Sequence, residues 1–307
     1  MPWKSTLKSR GYLVSDGAWG TELAKLGMEA GEAPELWNAE HPEAVERVAQ
    51  SYVDAGADII LTNTFGGSRL KLAGRGLADR AAELNRLGAE ISRRAAGRHA
   101  TVFASVGPTG DFLAPLGPRG EAEFIDIFAE QIRALVEGGA QGIVIETMTD
   151  LGEAIAALKA ARSVAGAPVV VSMTFDRTSF GFATIMGLTP DHAAEAVAAA
   201  GADVFGANCG AGIDQMIEVA RLMRTATRLP LWIKPNAGLP QLVEGRTVYR
   251  ETPEAMAAKV EALLRAGANI IGGCCGTTPD HIRAIAAAAH DARWIARDAN
   301  AGVLKAL

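Results

Sequence analysis

The sequence predicts one α/β domain, a single (β/α)8 TIM barrel that extends over residues 1–307. Three observations predict it. A segment that ends in a strand-like pattern is repeated four times, four further strand-like segments alternate with these copies, and segments of helical periodicity separate the strands. The chain has 307 residues, of which 49% are hydrophobic and 6% aromatic, as expected of a globular protein. Barrels of this class commonly use about 250 residues or more as one domain, so the length fits.

In each copy of the repeated segment, a glycine follows a pattern of helical period. After the glycine come β-branched residues, and then polar residues or cysteines. This order predicts a helix that ends at the glycine, followed by a buried strand. The four copies are AGADIILTNT (55–64), GGAQGIVIET (138–147), AGADVFGANC (200–209) and AGANIIGGCC (266–275). Four more strands are predicted at residues 12–16, 101–106, 169–175 and 231–235. Their nearly continuous apolar character is typical of parallel strands that are covered on both sides.

The segments between the strands predict helices. In PEAVERVAQSYVDAG the apolar residues Val45, Val48 and Tyr52 recur at helical spacing. Three helices are predicted to begin with a threonine that caps free amides, a proline that fits the first turn and an acid that suits the positive helix end. This signal occurs at Thr189-Pro190-Asp191, Thr252-Pro253-Glu254 and Thr278-Pro279-Asp280.

The main alternative fold is an open, doubly wound parallel sheet. Such a sheet normally carries a glycine fingerprint for a dinucleotide after its first strand. The segment Asp16-Gly17-Ala18-Trp19-Gly20 has two glycines but lacks the third. The sequence therefore favours the closed barrel.

Charge and composition exclude several classes of partner. The chain has 35 acidic residues and 30 lysines and arginines, with no basic cluster, so nucleic acid and anionic membranes are not expected partners. The longest uncharged run, residues 266–279, is shorter than the roughly 18 residues of a spanning helix. No apolar block follows the first charged residues, so we expect no signal peptide and a cytoplasmic protein. The sequence does not indicate an oligomeric state.

The active site of a barrel lies at the C-terminal ends of its strands. The residues predicted there are Asp16, Asn63, Thr64, Gly107, Pro108, Glu146, Thr147, Thr174, Asn208, Cys209, Lys234, Asn236, Cys274 and Cys275. The chain's three cysteines all belong to this group, and none of its five histidines does. Three thiolates fill three corners of a tetrahedral zinc site and leave the fourth open, as in catalytic sites.

Other interpretations of the cysteines remain open at this stage. They could be small buried apolar residues, or Cys274 and Cys275 could form a vicinal disulfide. Adjacent cysteines in a regular strand point to opposite faces, so a shared ion requires an irregular strand. Gly272, Gly273 and Gly276 provide the backbone freedom for one.

The polar residues at the strand ends also have two interpretations. Glu146 ends an apolar strand, and its carboxylate needs a cation, which could be a ligand amine or Lys234. Asp16 could cap the following turn or bind a ligand. Asn63, Thr64 and Asn208 could be structural hydrogen-bonding groups or ligand contacts.

The motifs at the strand ends resemble those of a known family. They are DGAWGTEL, TNTF, VGPTG, ET, GANCG, PNAG and GGCCGTTPDHI, and they follow in order over roughly residues 12 to 290. They resemble the homocysteine-binding barrel shared by homocysteine S-methyltransferases, betaine-homocysteine methyltransferase and cobalamin-dependent methionine synthase. The resemblance implies a methyltransferase that methylates the thiol of homocysteine to give methionine.

The resemblance also implies roles for individual residues. Cys209, Cys274 and Cys275 would bind the cofactor Zn²⁺ and act in catalysis through it, because a zinc-bound thiol loses its proton and stays nucleophilic. Glu146 and Asp16 would receive the amino group of homocysteine, and the amides of Gly17-Ala18 its carboxylate. The implied substrate contacts are Asp16, Gly17, Ala18, Asn63, Thr64, Glu146 and Asn208.

The methyl donor is the least determined partner. Family members that accept betaine enclose its ammonium with aromatic rings, but here Gly66 and Gly67 follow Phe65, and Thr147 follows Glu146. The segments ETMTD and PNAGLPQLVEGRTVYRE are most similar to the methionine synthase module. Because the chain contains no folate or corrinoid module, a methylcorrinoid donor would arrive on a separate protein. The alternatives are S-methylmethionine, S-adenosylmethionine or betaine as donor, or a non-catalytic zinc- and homocysteine-binding barrel. Long loops are predicted over the barrel mouth at residues 111–120 and 239–250.

Overall fold

Eight parallel strands form the centre of the computed structural model, which describes residues 3–210, 212–243 and 246–307. The strands are β1 (Leu13–Val14), β2 (Ile59–Leu61), β3 (Thr101–Val106), β4 (Gly142–Met148), β5 (Val169–Met173), β6 (Val204–Cys209), β7 (Leu231–Pro235) and β8 (Ala268–Ile271). From β2 to β8 each strand pairs with the next along the chain, and β8 pairs with β1. A bridge between Ser15 and Ile59 joins β1 to β2 and closes the cylinder. The predicted (β/α)8 barrel is confirmed, and the open sheet is excluded.

Helices surround this cylinder. They are α1 (Trp3–Arg10), α2 (Gly20–Lys25), α3 (Trp37–Glu40), α4 (Pro42–Asp54), α5 (Arg69–Ala73), α6 (Ala81–Ala96), α7 (Glu121–Glu137), α8 (Leu151–Val164), α9 (Pro190–Ala199), α10 (Ile213–Ala226), α11 (Pro253–Ala257), α12 (Val260–Arg265), α13 (Pro279–Asp291), α14 (Arg293–Ala299) and α15 (Ala301–Ala306). Short 3-10 helices occur at Pro34–Leu36 and Ala78–Arg80. No helix in the described part of the chain is both long and apolar enough to cross a membrane.

In all four copies of the repeated segment, the glycine has the predicted role of ending a helix before a strand. Gly56, Gly139, Gly201 and Gly267 have φ angles of 94°, 96°, 88° and 101°, a left-handed conformation that glycine adopts without a steric penalty. Each glycine follows the last turn of a helix and redirects the chain into the next strand. The repeated segment is therefore the end of a helix followed by a barrel strand.

The barrel interior is filled by one or two apolar side chains from each strand. They are Leu13, Ile59, Leu61, Phe103, Val144, Val170, Val204, Trp232 and Ile270. The rings of Phe103 and Trp232 stack with their centroids 6.2 Å apart. Trp3 of α1 and Leu304 of α15 join this cluster and cover the N-terminal end of the barrel. Polar residues lie at the opposite, C-terminal end of the barrel.

The helix-start signal was only partly correct. Thr252 and Thr278 cap α11 and α13 through their hydroxyl groups, as predicted. Thr189 precedes α9 without a side-chain cap, because its hydroxyl bonds instead to the carboxylate of Asp191 and approaches the ring of His192. The acidic side chain of this signal can thus compete with the helix amides for a hydrogen bond with the threonine hydroxyl.

The connections at the C-terminal end contain more structure than the sequence predicted. The predicted loop 239–250 includes an antiparallel hairpin, Gln241–Val243 with Arg246–Val248, and residues 244 and 245 lie outside the described residues. A second, unpredicted hairpin follows β5, with Asp176–Thr178 paired to Gly181–Ala183. The predicted loop 111–120 contains no helix or strand. These segments surround the mouth of the barrel.

Candidate active site

The three cysteines converge at the C-terminal end of the barrel. Cys209 is the last residue of β6, and Cys274 and Cys275 follow the end of β8. Their sulfur atoms lie within 4.8 Å of one another, and the Sγ atoms of Cys209 and Cys275 are 3.9 Å apart. All three are free thiols, so the structure contains no vicinal disulfide. Three sulfurs this close together could hold one metal ion.

Both adjacent cysteines reach the cluster because β8 has already ended where they occur. The amide of Cys274 donates to the carbonyl of Pro235 at 2.8 Å, and the amide of Thr277 donates back to the carbonyl of Cys274 at 3.1 Å. Gly276 completes this turn with a φ of 79°. The turn replaces the alternation of a strand, so the two thiols need not face opposite sides. The expected irregularity is therefore present.

The thiols are neutral near pH 7 without a metal. Hydrogen bonds among the thiols shift their pKa values in both directions, and burial together with repulsion between neighbouring thiolates raises the pKa of Cys209 to about 11 and those of Cys274 and Cys275 to about 12. Three sulfur atoms within 4.8 Å of one another fit a thiophilic divalent cation such as Zn²⁺.

A cavity of about 520 Å³ opens beside the cysteines. Its wall includes most of the predicted contacts, namely Gly17, Ala18, Asn63, Thr64, Glu146, Cys209, Cys274 and Cys275. It also includes side chains that were not predicted as contacts, among them Trp19, Glu35, Phe65, Lys71, Arg75 and Ser105. Asp16 and Asn208 are fully buried behind the wall and do not line the cavity.

Asp16 is held by protein donors on both carboxylate oxygens. Oδ1 accepts from the ammonium of Lys234 at 2.6 Å and from the hydroxyl of Ser15 at 3.2 Å. Oδ2 accepts from the indole nitrogen of Trp19 at 2.8 Å and from the amide of Leu61 at 2.7 Å. These contacts tie the ends of β1, β2 and β7 together.

Glu146 faces the cavity with fewer partners. Its Oε1 accepts a short hydrogen bond from the hydroxyl of Ser105, and Oε2 has no donor among the described residues. Burial raises the pKa of Glu146, whereas attraction to Lys234 and the bond from Ser105 oppose that shift. Burial lowers the pKa of Lys234, but its attraction to Asp16 and Glu146 outweighs this effect and raises the pKa overall. The ammonium group of Lys234 thus interacts with two carboxylates, that of Glu146 on the cavity wall and that of Asp16 behind it.

Asn208 connects strand β6, which ends at Cys209, to the end of β4. Its Oδ1 accepts from the amide of Thr147 at 2.9 Å and from the hydroxyl of Ser172 at 2.6 Å, and its Nδ2 donates to the hydroxyl of Thr147 at 2.8 Å. The same Nδ2 lies 3.9 Å from the sulfur of Cys274. Thr147 and Cys209 both have left-handed φ angles, 61° and 62°, a conformation that costs non-glycine residues about 1–3 kcal/mol. These bonds hold the strained strand ends in place.

Asn63 and Thr64 are also tied to the protein. The Nδ2 of Asn63 donates to the carbonyl of Pro34 at 2.6 Å and to Oδ1 of Asn38 at 2.9 Å. The hydroxyl of Thr64 donates to the carbonyl of Ser105 at 2.8 Å. Both residues have the hydrogen bonds of structural groups, although they line the cavity.

The turn at Gly17 and Ala18 packs tightly on α4 and on the turn after the cysteines. The amide of Ala18 donates to the hydroxyl of Thr277 at 3.2 Å, and the hydroxyl of Tyr52 donates to the carbonyl of Ala18 at 2.5 Å. A Cβ atom on Gly17 would lie 2.8 Å from Thr277 Oγ1 and from the ring of Tyr52. The amide of Gly17 has no partner among the described residues and lies on the cavity wall.

Ser105, Thr277 and Tyr249 are among the site residues that sequence reasoning missed. Ser105 is a polar residue near the end of the apolar strand β3, and this position was the signal for it. The hydroxyl of Thr277 accepts a hydrogen bond from the amide of Ala18, which lies 259 residues away in the chain. No local sequence pattern indicates such a contact. Tyr249 follows the hairpin after β7, and its interaction with Cys275 opposes the rise in the pKa of that thiol. Its ring packs against Gly276, where a Cβ atom would lie 2.2 Å from it.

Comparisons with known proteins show which family this chain belongs to. A family model described as homocysteine S-methyltransferase matches residues 13–289. Methionine synthase of Mycobacterium leprae is 35% identical over 303 residues, which are 92% of this chain and 24% of that protein. Methionine synthase of Mycobacterium tuberculosis is 34% identical over 300 residues, which are 91% of this chain and 25% of that protein. The chain thus spans about a quarter of the length of these curated relatives.

A solved structure shows the same fold. The metallated form of the homocysteine methyltransferase MmuM from Escherichia coli superimposes with a TM-score of 0.79 at 23% identity. The match covers 94% of this chain and 99% of MmuM. The family model covers the three cysteines, the Asp16 turn and Glu146. The chain therefore belongs to the homocysteine S-methyltransferase family, a family of methyltransferases.

Proposed function

We propose that this chain, acting as one domain over residues 1–307, transfers a methyl group to the thiol of homocysteine and produces methionine. We further propose that Cys209, Cys274 and Cys275 hold Zn²⁺. The observation that carries both proposals is the convergence of three sulfur atoms within 4.8 Å on the wall of a cavity that also presents Glu146. A bound zinc ion would lower the pKa of a substrate thiol and keep it nucleophilic at neutral pH.

The residues of the chain would position the substrate around that thiol. Oε2 of Glu146 is free to accept a hydrogen bond from the amino group, and the unpartnered amide of Gly17 is free to donate one to the carboxylate. Asn208 would keep Cys274 and the end of β4 in register. The substrate is thus oriented by groups on three strands, which restricts its freedom before the reaction.

The exposed apolar residues support a methyl donor that arrives on a separate protein, with a methylcorrinoid as its carrier group. Most of the large apolar side chains exposed in the described structure lie in loops after the C-terminal ends of the strands. This apolar rim consists of Leu26, Phe65, Phe112, Leu116, Phe180, Ile185, Met186, Leu239 and Leu242. Exposed apolar residues around a cavity mouth are typical of protein contact sites.

A small sulfonium or ammonium donor is the second candidate. It is favoured by Trp19 and Phe65, whose aromatic side chains lie on the cavity wall and could attract a cation. The cavity volume of about 520 Å³ also leaves room beyond an amino acid substrate.

The metal proposal is tested by measuring zinc in protein purified without a chelator. We expect one zinc ion per chain, and we expect Cys274→Ala to lose both the zinc and the activity. Lys305→Ala, an exposed substitution near the C-terminus, should retain both. A zinc content near zero with three freely alkylated thiols in the wild type would refute the proposal.

The reaction is tested by incubating the zinc-containing protein with homocysteine and single donors. The donors are methylcobalamin, S-methylmethionine, S-adenosylmethionine, betaine and dimethylsulfoniopropionate. Methionine from methylcobalamin alone is expected for the corrinoid proposal, and methionine from a sulfonium compound or betaine would select the small-donor alternative. Tight homocysteine binding without methionine from any donor would instead indicate a non-catalytic binding barrel.

A further inference from the structure

We propose that Lys71 and Arg75 form an anion-binding subsite at the exposed end of the cavity, which binds a carboxylate or phosphate group of the methyl donor. This inference rests on the proposed function, because it assigns a second ligand to the same cavity. It adds a requirement to the donor, which carries an oxyanion besides its transferable methyl group.

The two cations come from one helix and the turn that follows it. Lys71 belongs to α5, and the amide of Arg75 donates to the carbonyl of Leu72 at 2.9 Å in the next turn. Both side chains line the cavity. The ammonium group of Lys71 lies over Gly110 in the loop after β3, where an added Cβ atom would be 3.3 Å from Nζ. The two cations therefore reach the cavity from the same element.

Lys71 and Arg75 have no partner of their own in the protein. The arginines before and after them in the chain, Arg69 and Arg80, each form an ion pair with a glutamate. In contrast, the side chains of Lys71 and Arg75 form no ion pair and donate no hydrogen bond among the described residues. Their donors are therefore available to a ligand.

Two carboxylates lie near these cations but are buried and bound by other donors. Oε1 of Glu35 accepts from the amide of Gly66 at 2.6 Å, and Oε1 of Glu153 accepts from the amide and the hydroxyl of Thr109, both at 2.7 Å. Both carboxylates attract Lys71. Because they are already bonded to neighbouring loops, they attract the cation without closing an ion pair on it.

The exposed end of the cavity has an excess of positive charge. Lys71 and Arg75 contribute two positive charges to the wall there, and Glu35 contributes one negative charge when it is ionised. Lys234, the other cation of the wall, is bound by Asp16 at 2.6 Å. One oxyanion would neutralise the remaining charge, and guanidinium and ammonium groups are typical binders of carboxylate and phosphate oxygens.

The rest of the wall fits the part of a donor that carries the methyl group. The aromatic side chains of Trp19 and Phe65 lie on the wall between the exposed surface and the barrel, and the three cysteines line the same cavity. A volume of about 520 Å³ holds a second ligand beside an amino acid substrate. A donor bound by its oxyanion would therefore keep its methyl-bearing part in the cavity that contains the cysteines.

The experiment compares donors in pairs that differ in the oxyanion. Dimethylsulfoniopropionate and its methyl ester differ in one carboxylate, and methylcobalamin and methylcobinamide differ in the nucleotide that contains the phosphate. Dissociation constants are measured by calorimetry with the protein as purified and without homocysteine, so that no methyl transfer occurs. We expect the anionic member of one pair to bind roughly tenfold more tightly. The pair that shows this preference distinguishes a carboxylate from a phosphate ligand.

The double variant Lys71→Met with Arg75→Met should lose this preference. In the wild type the preference should decrease as the salt concentration rises, because both cations are exposed and therefore screened. Lys8→Met with Arg133→Met is the matched control, since it removes the same charge from two exposed side chains outside the cavity wall. The control should keep the preference of the wild type.

Several outcomes would overturn the inference. They are a wild type that binds no donor or prefers neither anionic compound, a preference that survives in Lys71→Met with Arg75→Met, and an equal loss of preference in the control, which would show that overall charge is responsible. The proposed function has a separate test, because it fails if homocysteine yields no methionine with any donor, whichever way the variants bind these compounds.

Discussion

Gly17 shows how closely single residues are constrained at this site. It lies between the cavity and two side chains, Tyr52 and Thr277, that are both fully buried. Neither of them can move away from an added methyl group without disturbing the turn that carries Cys274, because Thr277 also donates to the carbonyl of Cys274 at 2.7 Å. The substrate turn and the cysteine turn are therefore mechanically linked.

We predict that Gly17→Ala destabilises the protein by about 1–3 kcal/mol, because its Cβ atom overlaps Thr277 and Tyr52. Urea unfolding monitored by circular dichroism measures this change. Gly20→Ala is the matched control from the same segment, since a Cβ atom there meets nothing within 4 Å. Equal stability of the two variants would contradict the described packing.

The thiols give a second prediction at the residue scale. Their pKa values of about 11 to 12 mean that all three carry protons at pH 7 without metal, whereas a metal ion binds thiolates. Binding must therefore release protons, and the apparent zinc affinity should fall as the pH falls. We expect a decrease of up to about tenfold per thiol for each pH unit.

Competition with a zinc chelator of known pH dependence, at pH 6.5 and 7.5, measures this effect. Cys209→Ser should show a weaker dependence, because one fewer thiol loses a proton. An affinity that does not change with pH would show that the thiols are already ionised or do not bind the ion.

At the scale of elements, the sequence predicted what is set by local rules. Each of the eight strands and the four left-handed glycines follow from hydrophobic runs and helix stops, both of which are local patterns. Because the active site of a barrel lies at the C-terminal ends of its strands, the sequence placed most site residues at one end of the barrel. The three cysteines lie together there. The hydrogen bonds that Asp16 accepts from Leu61 and Lys234 could not be predicted, because these residues are 45 and 218 positions away from it in the chain. The two hairpins at the mouth were missed because their strands have only three residues each.

Arg224 of α10 joins two neighbouring elements at the N-terminal end of the barrel. Its guanidinium donates to the carbonyls of Thr227, Leu229 and Gly267 and to the side chain of Asn269. Burial and the nearby charge of Arg228 lower the pKa of Arg224 to about 10, so it remains charged at pH 7.

We predict that Arg224→Met lowers the free energy of unfolding by about 2–4 kcal/mol, because four acceptors lose a charged donor. Chemical denaturation measures the loss. Arg221→Met, on an exposed turn of the same helix, should change stability by less than about 0.5 kcal/mol. A similar, small effect of both substitutions would show that the bonds of Arg224 do not stabilise the connection.

At the scale of the whole molecule, the two ends of the barrel have different tasks. The N-terminal end is closed by Trp3, Leu7 and Leu304, which pack against the interior side chains. The C-terminal end carries the cysteines, the cavity and the apolar rim. Stability and proposed chemistry are therefore separated along the barrel axis, as is usual in this fold.

This separation predicts that damage at the closed end spares the metal centre. Trp3→Ala should cost about 3 kcal/mol, because the buried indole packs edge-on against Phe103 with centroids 6.3 Å apart. The variant should still contain one zinc ion per chain under native conditions. Trp294→Ala is the control, since that side chain is 63% exposed and should cost less than about 1 kcal/mol.

Thermal denaturation and metal analysis of the two tryptophan variants check both halves of this prediction. Loss of zinc from folded Trp3→Ala would show that the two ends of the barrel are coupled.

The positions along the chain of the three cysteines that we propose as zinc ligands have a consequence for biosynthesis. Cys209 ends β6, whereas its two partners follow β8, the last strand of the cylinder. A polypeptide still on the ribosome therefore has one ligand long before the other two have been translated. Stable metal loading must follow synthesis of the final strand, so prematurely terminated products that lack this strand would be left without the ion. Bound zinc would thus mark a finished molecule.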